Sequence, residues 1–538
     1  MRQFFTQFKG IAPLVSDLLL AEGKATAASN FAAKGGALVP FRQAADVLAT
    51  GRAGVRTIYR FGRELPDEDK YWFTFPSDVN VVPGPVADSS ERTYFTGLDV
   101  PRVTDFALAT GNGGAATTLL PVASYPLAVP TPPAPQAVPG IGGTADIETR
   151  FYVVTAVTPW GEEGAPSAPS NVVEVKQGQP VTVTLPDVPA AGRPLQARRL
   201  YRSATTPSGT RVMLLVEELP ISAKSYVDSK PGNRLAEPLP SARHAPPPND
   251  LRGLVALPGG VLAGLSGKEV CFSEPWLPYA WPEQYRLTVN VKPVGLAPIE
   301  GGLAVLTQSS PYLISGTEPD SMAMNPTDFA QACVSAASIV HNGAGAVYAS
   351  PDGLCYLGNG GSRVLTESML TAEQWAAYHP DTLRGVLFEN QYLGFYDKNG
   401  ERGGFVFDLI NGDFVPLDQY FPAAFVDDLR DAVYVAGADG KIQRFNAGPA
   451  LAARWRSKPI PERTRAPMVA KVLADSYPVT LRLYDGDVLL RTATATSRAG
   501  FRVGEPSRLA SKLRLEVEAR SRVLAVGIAD DFRELADL

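Results

Sequence analysis

Residues 386–409 read VLFENQYLGFYDKNGERGGFVFDL, and this stretch decides the fold. Apolar and aromatic residues on both sides of Asp397-Lys398-Asn399-Gly400 predict two strands joined by a tight hairpin turn, for which Asn-Gly is a preferred sequence. Strand-rich units of similar composition begin at Gly260, Leu303, Ala346 and Phe425, so the pattern recurs about every 40 residues. A repeat of this length with about four short strands is typical of β-propeller blades.

A different β segment precedes these repeats. Thr149–Thr158 alternates as a strand, a Pro-rich turn region follows at 159–170, and Leu200-Tyr201-Arg202-Ser203 marks a later strand. Short strands with Pro-rich corners indicate an immunoglobulin-like or fibronectin type III-like sandwich. The run from Gly161-Glu162-Glu163 to Ala165-Pro166-Ser167 resembles fibronectin type III-like modules in particular.

The fold is therefore predicted to be all-β: a β-propeller with an inserted fibronectin III- or immunoglobulin-like sandwich and a C-terminal β domain. Helices are expected only near the start, at Pro13–Glu22 and in the Ala-rich residues 25–33. The strands of residues 51–104 would supply a sixth blade and close the ring. The predicted organisation is an N-terminal helical and extended segment (1–50), a first blade (51–107), a Pro/Ala/Gly-rich linker (108–145), the sandwich (146–245), the remaining blades (246–450) and a C-terminal β domain (451–538).

Composition excludes several classes of protein. The 538 residues include only three Cys and three His, all far apart, so neither a disulfide framework nor a Cys- or His-based metal site is expected. A formal charge of −5 argues against a nucleic-acid-binding protein of the usual basic kind. No apolar run approaches the ~18 residues of a membrane span. Pro13 and Asp17 interrupt the one N-terminal stretch that imitates a signal peptide, so no cleavage is expected.

Residues suited to catalysis or ligand binding are few. The sequence has no G-x-S-x-G elbow, H-E-x-x-H pair, P-loop or dinucleotide fingerprint. A Cys333–His341 dyad stays open, although buried core positions account for both residues. We predict no catalytic, cofactor-binding or metal-ligating residue and no cofactor. Hairpin turns explain the other candidates, which lack either a helix to cradle phosphate or the later ligands of a calcium loop: Gly358–Gly361, Asp397 with Asn399, and Asp485 with Asp487.

Charge is distributed unevenly along the chain. Residues 301–440 contain 17 Asp+Glu against 5 Lys+Arg, whereas residues 451–538 contain 16 basic against 11 acidic side chains. The acidic region is either a solvated face or a channel wall that repels polyanions and lets them slide without sticking. The basic C-terminal region would suit docking onto an acidic partner.

Short packing and turn motifs along the chain carry a family resemblance. They include Trp72-Phe73, Asp78-Val79-Asn80-Val81-Val82, Arg92-Thr93-Tyr94-Phe95-Thr96-Gly97, Phe272-Ser273-Glu274-Pro275, Ala349-Ser350-Pro351-Asp352-Gly353-Leu354 and Trp455-Arg456-Ser457-Lys458. Through them the chain resembles the tail nozzle (tail tubular protein B) and related propeller-type tail proteins of short-tailed bacteriophages. These residues mark an architecture and not an active site.

The resemblance implies a structural virion protein and not an enzyme. Several copies, six in such tails, would ring the tail axis, extend the DNA channel, retain the packaged genome and conduct it during ejection. The implied partners are head-to-tail connector or adaptor proteins, tail fibres, further copies of the chain and the passing genomic DNA. The implied location is the virion tail, after synthesis in the host cytoplasm.

Two other functions stay open. The chain could recognise a host-surface glycan through exposed aromatic residues such as Trp160, Trp276 and Trp281. It could also be a propeller glycan hydrolase or lyase, whose paired carboxylates are defined by a spatial separation that a sequence does not show.

Overall fold

The computed structural model describes residues 2–62, 66–86, 90–114, 119–144, 147–189, 191–205, 211–358, 360–460, 464–505 and 509–537. This part of the chain is almost entirely β and contains two short α-helices. It forms a β-propeller, an inserted sandwich and a second sandwich that joins both ends of the chain. The all-β fold class predicted from the sequence is confirmed.

The first fifty residues form strands where helices were predicted. They are β1 (Arg2–Phe5), β2 (Ala25–Ser29), β3 (Phe31–Lys34), β4 (Ala37–Pro40) and β5 (Ala45–Ala49). Residues 13–22 contain one 3₁₀ turn, Asp17–Leu19, and the Ala-rich segment forms β2 and β3. Ala favours helix in isolation, but pairing with a distant strand outweighs that preference, since Ala28 pairs with Trp455. The predicted N-terminal helices are therefore wrong.

Residues 51–126 form two sheets of the propeller instead of the single blade predicted for 51–107. Sheet 1 has β6 (Thr57–Arg60) and β7 (Trp72–Phe75); sheet 2 has β8 (Asn80–Pro83), β9 (Thr93–Thr96), β10 (Arg102–Thr104) and β11 (Tyr125–Pro126), with α1 (Phe106–Thr110) before β11. Every residue of β7 is buried, because sheet 1 lies between two other sheets. The Phe75 ring centroid is 5.5 Å from that of Phe95 in sheet 2. The sequence marks these strands but not the sheet to which each belongs.

The inserted sandwich follows sheet 2 in the chain. Its strands are β12 (Gln136–Pro139), β13 (Ile147–Arg150), β14 (Tyr152–Val157), β15 (Val173–Lys176), β16 (Val181–Thr184), β17 (Ala197–Thr205), β18 (Arg211–Pro220) and β19 (Ser225–Asp228).

Five four-stranded antiparallel sheets after the inserted sandwich complete the ring. Sheet 3 has β20 (Arg252–Leu257), β21 (Val261–Ser266), β22 (Glu269–Phe272) and β23 (Leu287–Thr288). Sheet 4 has β24 (Pro293–Ile299), β25 (Gly302–Thr307), β26 (Tyr312–Ser315) and β27 (Ala323–Pro326). Sheet 5 has β28 (Val340–His341), β29 (Gly345–Ala349), β30 (Leu354–Gly358) and β31 (Gly361–Val364), and α2 (Ala372–Ala376) follows it.

Sheet 6 has β32 (Arg384–Phe388), β33 (Gln391–Lys398), β34 (Glu401–Asp408) and β35 (Phe414–Leu417). Sheet 7 has β36 (Ala423–Asp427), β37 (Ala432–Ala436) and β38 (Lys441–Arg444). Its fourth strand is β5, which pairs antiparallel with β38, so a strand from the start of the chain closes the last sheet. The first strands of sheets 2 to 7 contact one another in this order, and β36 contacts β6. The described residues thus make a ring of seven sheets instead of the six predicted blades.

The inserted sandwich packs two sheets face to face. One has the order β12–β16–β19, the other has β14–β17–β18, and β13 pairs with β15 beside them. Tyr152, Val154, Val183 and Leu200 lie in the core between the sheets. Its first strand, β12, comes from the predicted linker 108–145. Leu127 and Val129 of that linker are also buried, so the connection is packed onto the ring instead of hanging free.

The C-terminal β domain is a sandwich completed by the N-terminal strands, and we call it the two-ended sandwich. Its own strands are β39 (Ala453–Ser457), β40 (Thr464–Arg465), β41 (Val469–Ala474), β42 (Val479–Asp485), β43 (Val488–Ala495), β44 (Phe501–Arg502), β45 (Leu509–Ala510), β46 (Leu513–Ala519) and β47 (Val523–Ala529). One sheet has the order β3–β4–β47–β41–β44 with β1 on β47, and the other has β2–β39–β46–β42–β43. Phe8 packs edge-on against Trp455 in the core between them. Residues 1–50 therefore are not a separate segment.

Candidate functional site

Most of the residues singled out from the sequence for ligand chemistry have structural partners. Asp397 accepts a hydrogen bond from the Gly400 N–H (3.2 Å) within its hairpin turn, and Asp485 accepts from the Ser511 and Lys512 N–H groups (3.0 and 2.9 Å). Gly358 and Gly361 end the β30–β31 hairpin, and Asn359 between them lies outside the described residues. Where the structure describes the chain, no three His, Cys, Asp or Glu side chains come together as a metal site.

The three cysteines are buried. The Cys333 thiol donates to the Ser335 carbonyl oxygen (3.4 Å), while His341 lies in β28 on the other side of the Ala336–Ser338 turn. Burial raises the pKa of Cys271, Cys333 and Cys355 to about 12 in each case. A thiol with such a pKa carries almost no thiolate at neutral pH, so Cys333 is a poor nucleophile.

The three tryptophans proposed for glycan binding differ in position. Trp281 is completely buried and donates its indole N–H to the Pro278 carbonyl oxygen (2.7 Å), so it is a core residue. Trp160 and Trp276 line one cleft where the inserted sandwich meets sheets 2 and 3, which we call the junction cleft. The cleft measures about 220 Å³, and its wall includes Arg92, Tyr94, Trp160, Glu162, Trp276 and Tyr279.

Charged groups hold the inserted sandwich against the ring at this cleft. Two guanidinium groups contact the Trp160 ring, those of Arg92 in sheet 2 and Arg193 in the sandwich, each 4.8 Å from its centroid. Glu162 is 3% exposed and accepts a hydrogen bond from Arg193, whose guanidinium also donates to the Pro126 carbonyl oxygen (2.9 Å). The Arg92 guanidinium lies 3.6 Å from the other oxygen of Glu162. Cation–π contacts and buried ion pairs therefore couple the two modules.

Trp276 sits on the outer wall of the cleft in an uncommon conformation. Its side chain is 54% exposed and its φ is +65°, a region that bulky residues rarely adopt. Its ring covers Gly260, where an added Cβ would come within 2.5 Å of the indole. Gly260 also accepts a hydrogen bond from the Trp276 N–H (2.9 Å). The ring is therefore held in place while part of its surface faces solvent.

A second cavity lies at the centre of the ring and measures about 290 Å³. Arg384 of sheet 6 donates to Asp78, which stands just before β8 of sheet 2, and Arg56 beside β6 also pairs with Asp78 (3.3 Å). Burial alone would raise the pKa of Asp78, but the charges and hydrogen bonds of Arg384 and Arg56 outweigh it, so the pKa lies below its ordinary value. These ion pairs bridge the centre of the ring from opposite sheets.

The exposed acidic side chains of residues 301–440 lie at both ends of the ring. We define two ends of the ring by the direction of the chain. At end A the first strand of each sheet ends, and at end B that strand begins. By their connections, Glu318, Asp320, Glu389, Asp428 and Asp431 lie at end A, and Asp328, Asp352, Glu367, Glu373, Asp381, Glu401, Asp418 and Asp439 lie at end B. The acidic region therefore does not form one continuous stripe along the ring.

Sequence reasoning singled out Trp160 and Trp276 of the junction cleft but missed the charged residues of both cavities. Glu162 was recognised only as part of a turn motif, and Arg92, Arg193, Asp78 and Arg384 stand among many similar charged residues. Nothing in the sequence distinguishes a buried arginine from an exposed one until its partner is known. Trp160 was named as an exposed aromatic residue, but nothing in the sequence indicates its contacts with Arg92 and Arg193.

Comparisons with known proteins add little to this picture. No model of a known protein family matches the chain, and no curated protein does either. Among solved structures, the chain is similar to PorZ, a surface component of the type-IX secretion system of Porphyromonas gingivalis (10% identity, 91% of this chain and 83% of that one, TM-score 0.26). It is also similar to the extracellular domain of the hybrid two component system BT4673 from B. thetaiotaomicron (9% identity, 93% and 63%, TM-score 0.27). Such low scores carry no argument about function. Within the described residues, no helix combines the length and apolar character that a membrane crossing needs.

Proposed function

We propose that this protein is a structural subunit of a short bacteriophage tail, the nozzle, of which several copies surround the DNA path. The proposal rests on the pairing of the N-terminal strands with the last sheet of the ring and with the C-terminal sandwich. β5 closes the propeller, and β1–β4 complete the sandwich formed by β39–β47. A closed ring with few free sheet edges is suited to a load-bearing subunit around DNA. The sequence resemblance to tail nozzle proteins supports the same function.

The DNA channel would lie between copies and not through one ring. The cavity at the ring centre is about 290 Å³, and the Arg384–Asp78 pair crosses it. A DNA duplex, whose major groove alone is about 12 Å wide, does not fit there. A ring of copies, six by the resemblance, is therefore part of the proposal.

Charge supports this arrangement. Carboxylates are exposed at both ends of the propeller, so an acidic surface is available whichever end faces the channel. Such a wall repels phosphates and lets DNA slide without binding. The basic two-ended sandwich would then dock onto an acidic connector or adaptor protein, and the inserted sandwich would contact fibres or the cell surface.

Electron microscopy of virions with a gold-labelled antibody against this chain tests the proposal. We expect label at the end of a short tail, with several copies around the axis. Antibody that has been saturated with the purified protein should remove the label and serves as the control. Label on peripheral fibres, or on no particle, would overturn the proposal.

A further inference from the structure

We propose that the junction cleft is a saccharide-binding site that takes one pyranose ring. This goes beyond the nozzle function and does not depend on it, because the cleft exists in a single copy of the chain. It also gives the glycan-recognition hypothesis a specific location and removes Trp281, which is buried, from its residues.

The aromatic half of such a site is present. A pyranose presents a face of C–H groups that packs on an aromatic ring, and it needs that ring exposed and fixed in place. Trp276 meets both conditions, since about half of its side chain is exposed while Gly260 lies directly beneath the indole. Trp160 is less suited, because it is half-buried and its ring already contacts the guanidinium groups of Arg92 and Arg193. Trp276 is therefore the stacking residue.

The polar half lies deeper in the cleft. One carboxylate oxygen of Glu162 and the Nε–H of Arg92 are buried, and neither has a hydrogen-bond partner within the described chain. Buried polar atoms are normally paired, and an unpaired one costs free energy. A sugar hydroxyl can donate to the carboxylate, and its neighbour can accept from the guanidinium. Adjacent hydroxyls of a pyranose therefore match the two atoms that have no hydrogen-bond partner, although the two side chains form an ion pair at 3.6 Å.

Burial also keeps the other polar groups of the cleft neutral. Burial, followed by the nearby Glu162 carboxylate, raises the pKa of Tyr279 to about 12 and that of Tyr94 still higher. Both phenols thus keep their protons over the physiological range. Glu162 is already paired with Arg193 and faces Arg92, so the site does not call for a charged ligand. A neutral, hydroxyl-rich ligand suits it best.

The size of the cleft limits the ligand. Its volume of about 220 Å³ is below the ~300–1,000 Å³ of pockets that enclose drug-sized molecules. It accommodates one sugar ring, with the remainder of any chain outside. A free monosaccharide and a terminal or internal sugar of a cell-surface polysaccharide share this chemistry.

Saturation-transfer NMR with the full chain tests the proposal and separates these two sources. The probes are the methyl pyranosides of glucose, galactose, mannose and N-acetylglucosamine, and in a second arm polysaccharide fragments released from bacterial envelopes. We expect at least one probe to bind, with contact to Trp276. Binding by the methyl glycosides alone would indicate a free sugar, and tighter binding by fragments would indicate a surface glycan.

The decisive variant is Trp276→Gly, because glycine adopts a positive φ without strain and the fold should persist. We expect it to weaken binding at least tenfold, and Trp276→Asn, which also tolerates this conformation, to do the same. Phe532→Ala removes a comparably exposed aromatic ring from the two-ended sandwich and should leave binding unchanged. The proposal is overturned if no probe binds at millimolar concentration, or if Trp276→Gly binds as the natural chain does. Neither result bears on the location of the protein in a virion.

Discussion

At the scale of single residues, buried arginines connect different parts of the protein through ion pairs. Arg193 is almost fully buried, pairs with Glu162 and contacts both Trp160 and Tyr125. Arg60 is completely buried between sheets 1 and 7, where its guanidinium lies 3.8 Å from Asp427. Removing one member of a buried pair leaves the other charge without compensation, which costs more than the pair itself contributes.

Replacing Arg193 with Met should loosen the inserted sandwich. Glu162 would keep a buried carboxylate without its main partner. We therefore expect the free energy of local unfolding of the inserted sandwich to fall by about 3–5 kcal/mol. Hydrogen exchange of the amides in β14 and β17 measures this opening directly. Lys224→Met removes an exposed pair with Asp187 and should leave this free energy almost unchanged, because solvent screens exposed ion pairs. Equal effects of the two variants would contradict the role assigned to Arg193.

The cysteines allow a direct chemical test of burial. With pKa values of about 12, Cys271, Cys333 and Cys355 should not react with a disulfide reagent in the native protein at pH 7.5. All three should react at once after unfolding in guanidinium chloride, which provides the internal control. Rapid modification of Cys333 in the native state would reopen the nucleophile hypothesis.

The ion pair at the ring centre predicts a pH dependence. The folded-state pKa of Asp78 is lowered, so its contribution to stability is fully present above the unfolded value of about 3.9 and is lost as pH falls through the folded value. Asp78→Asn should therefore lower the thermal unfolding temperature at pH 6, and this difference should shrink as the pH falls below about 3.9. Asp320→Asn, in an exposed loop, serves as control and should have little effect over the same pH range. A difference for Asp78→Asn that does not shrink with falling pH would show that the charge is not its cause.

At the scale of elements, the sequence predicts best what is local. The hairpins of β33–β34 and β37–β38 follow from their Asn-Gly and Asp-Gly turns, and the inserted sandwich follows from regular short strands. The assignment of β6 and β7 to a sheet of their own does not follow from the sequence. It depends on the packing of Trp72 and Phe75 against aromatic rings of two other sheets. β2 was missed for the same reason, since its partner β39 lies more than 400 residues away. β3 pairs with the neighbouring β4, which is itself held in the sheet by the distant β47. Both cavities depend on such distant pairings, so their charged residues could not be predicted, whereas Trp160 and Trp276 were singled out as exposed aromatic residues.

Deleting residues 2–40 should unfold the two-ended sandwich. The deletion removes β1–β4 and uncovers core residues such as Val472 and Trp455, which pack between the two sheets. We expect the near-ultraviolet circular dichroism of this module to be lost and the truncated chain to associate. A peptide of residues 2–40 added in trans should restore part of the signal, whereas a scrambled peptide should not. An unchanged thermal unfolding curve for the truncated chain would contradict the pairing.

At the scale of the whole molecule, charge reversal at each end of the ring tests which end would face DNA under the proposed nozzle function. Glu318→Lys with Asp320→Lys reverses charge at end A, and Asp328→Lys with Glu367→Lys does so at end B. A wall that attracts phosphates should hold DNA back, so we expect one pair to slow genome ejection from virions several-fold. The other pair serves as the matched control. If neither pair changes the ejection rate, the acidic surface does not face the DNA.

The pairing of β1–β4 with β39–β47 also delays the folding of the two-ended sandwich during synthesis. β1–β4 leave the ribosome before their partners in β39–β47, which follow about four hundred residues later. At about 5–20 residues per second, the wait is roughly 20 to 80 s. During it, Phe8, Phe31 and Leu38, which end in a closed core, have no sheet to cover them. We therefore expect the nascent chain to depend on chaperones until β47 has been synthesised. Release before that point would leave an aggregation-prone intermediate and not a shorter folded protein.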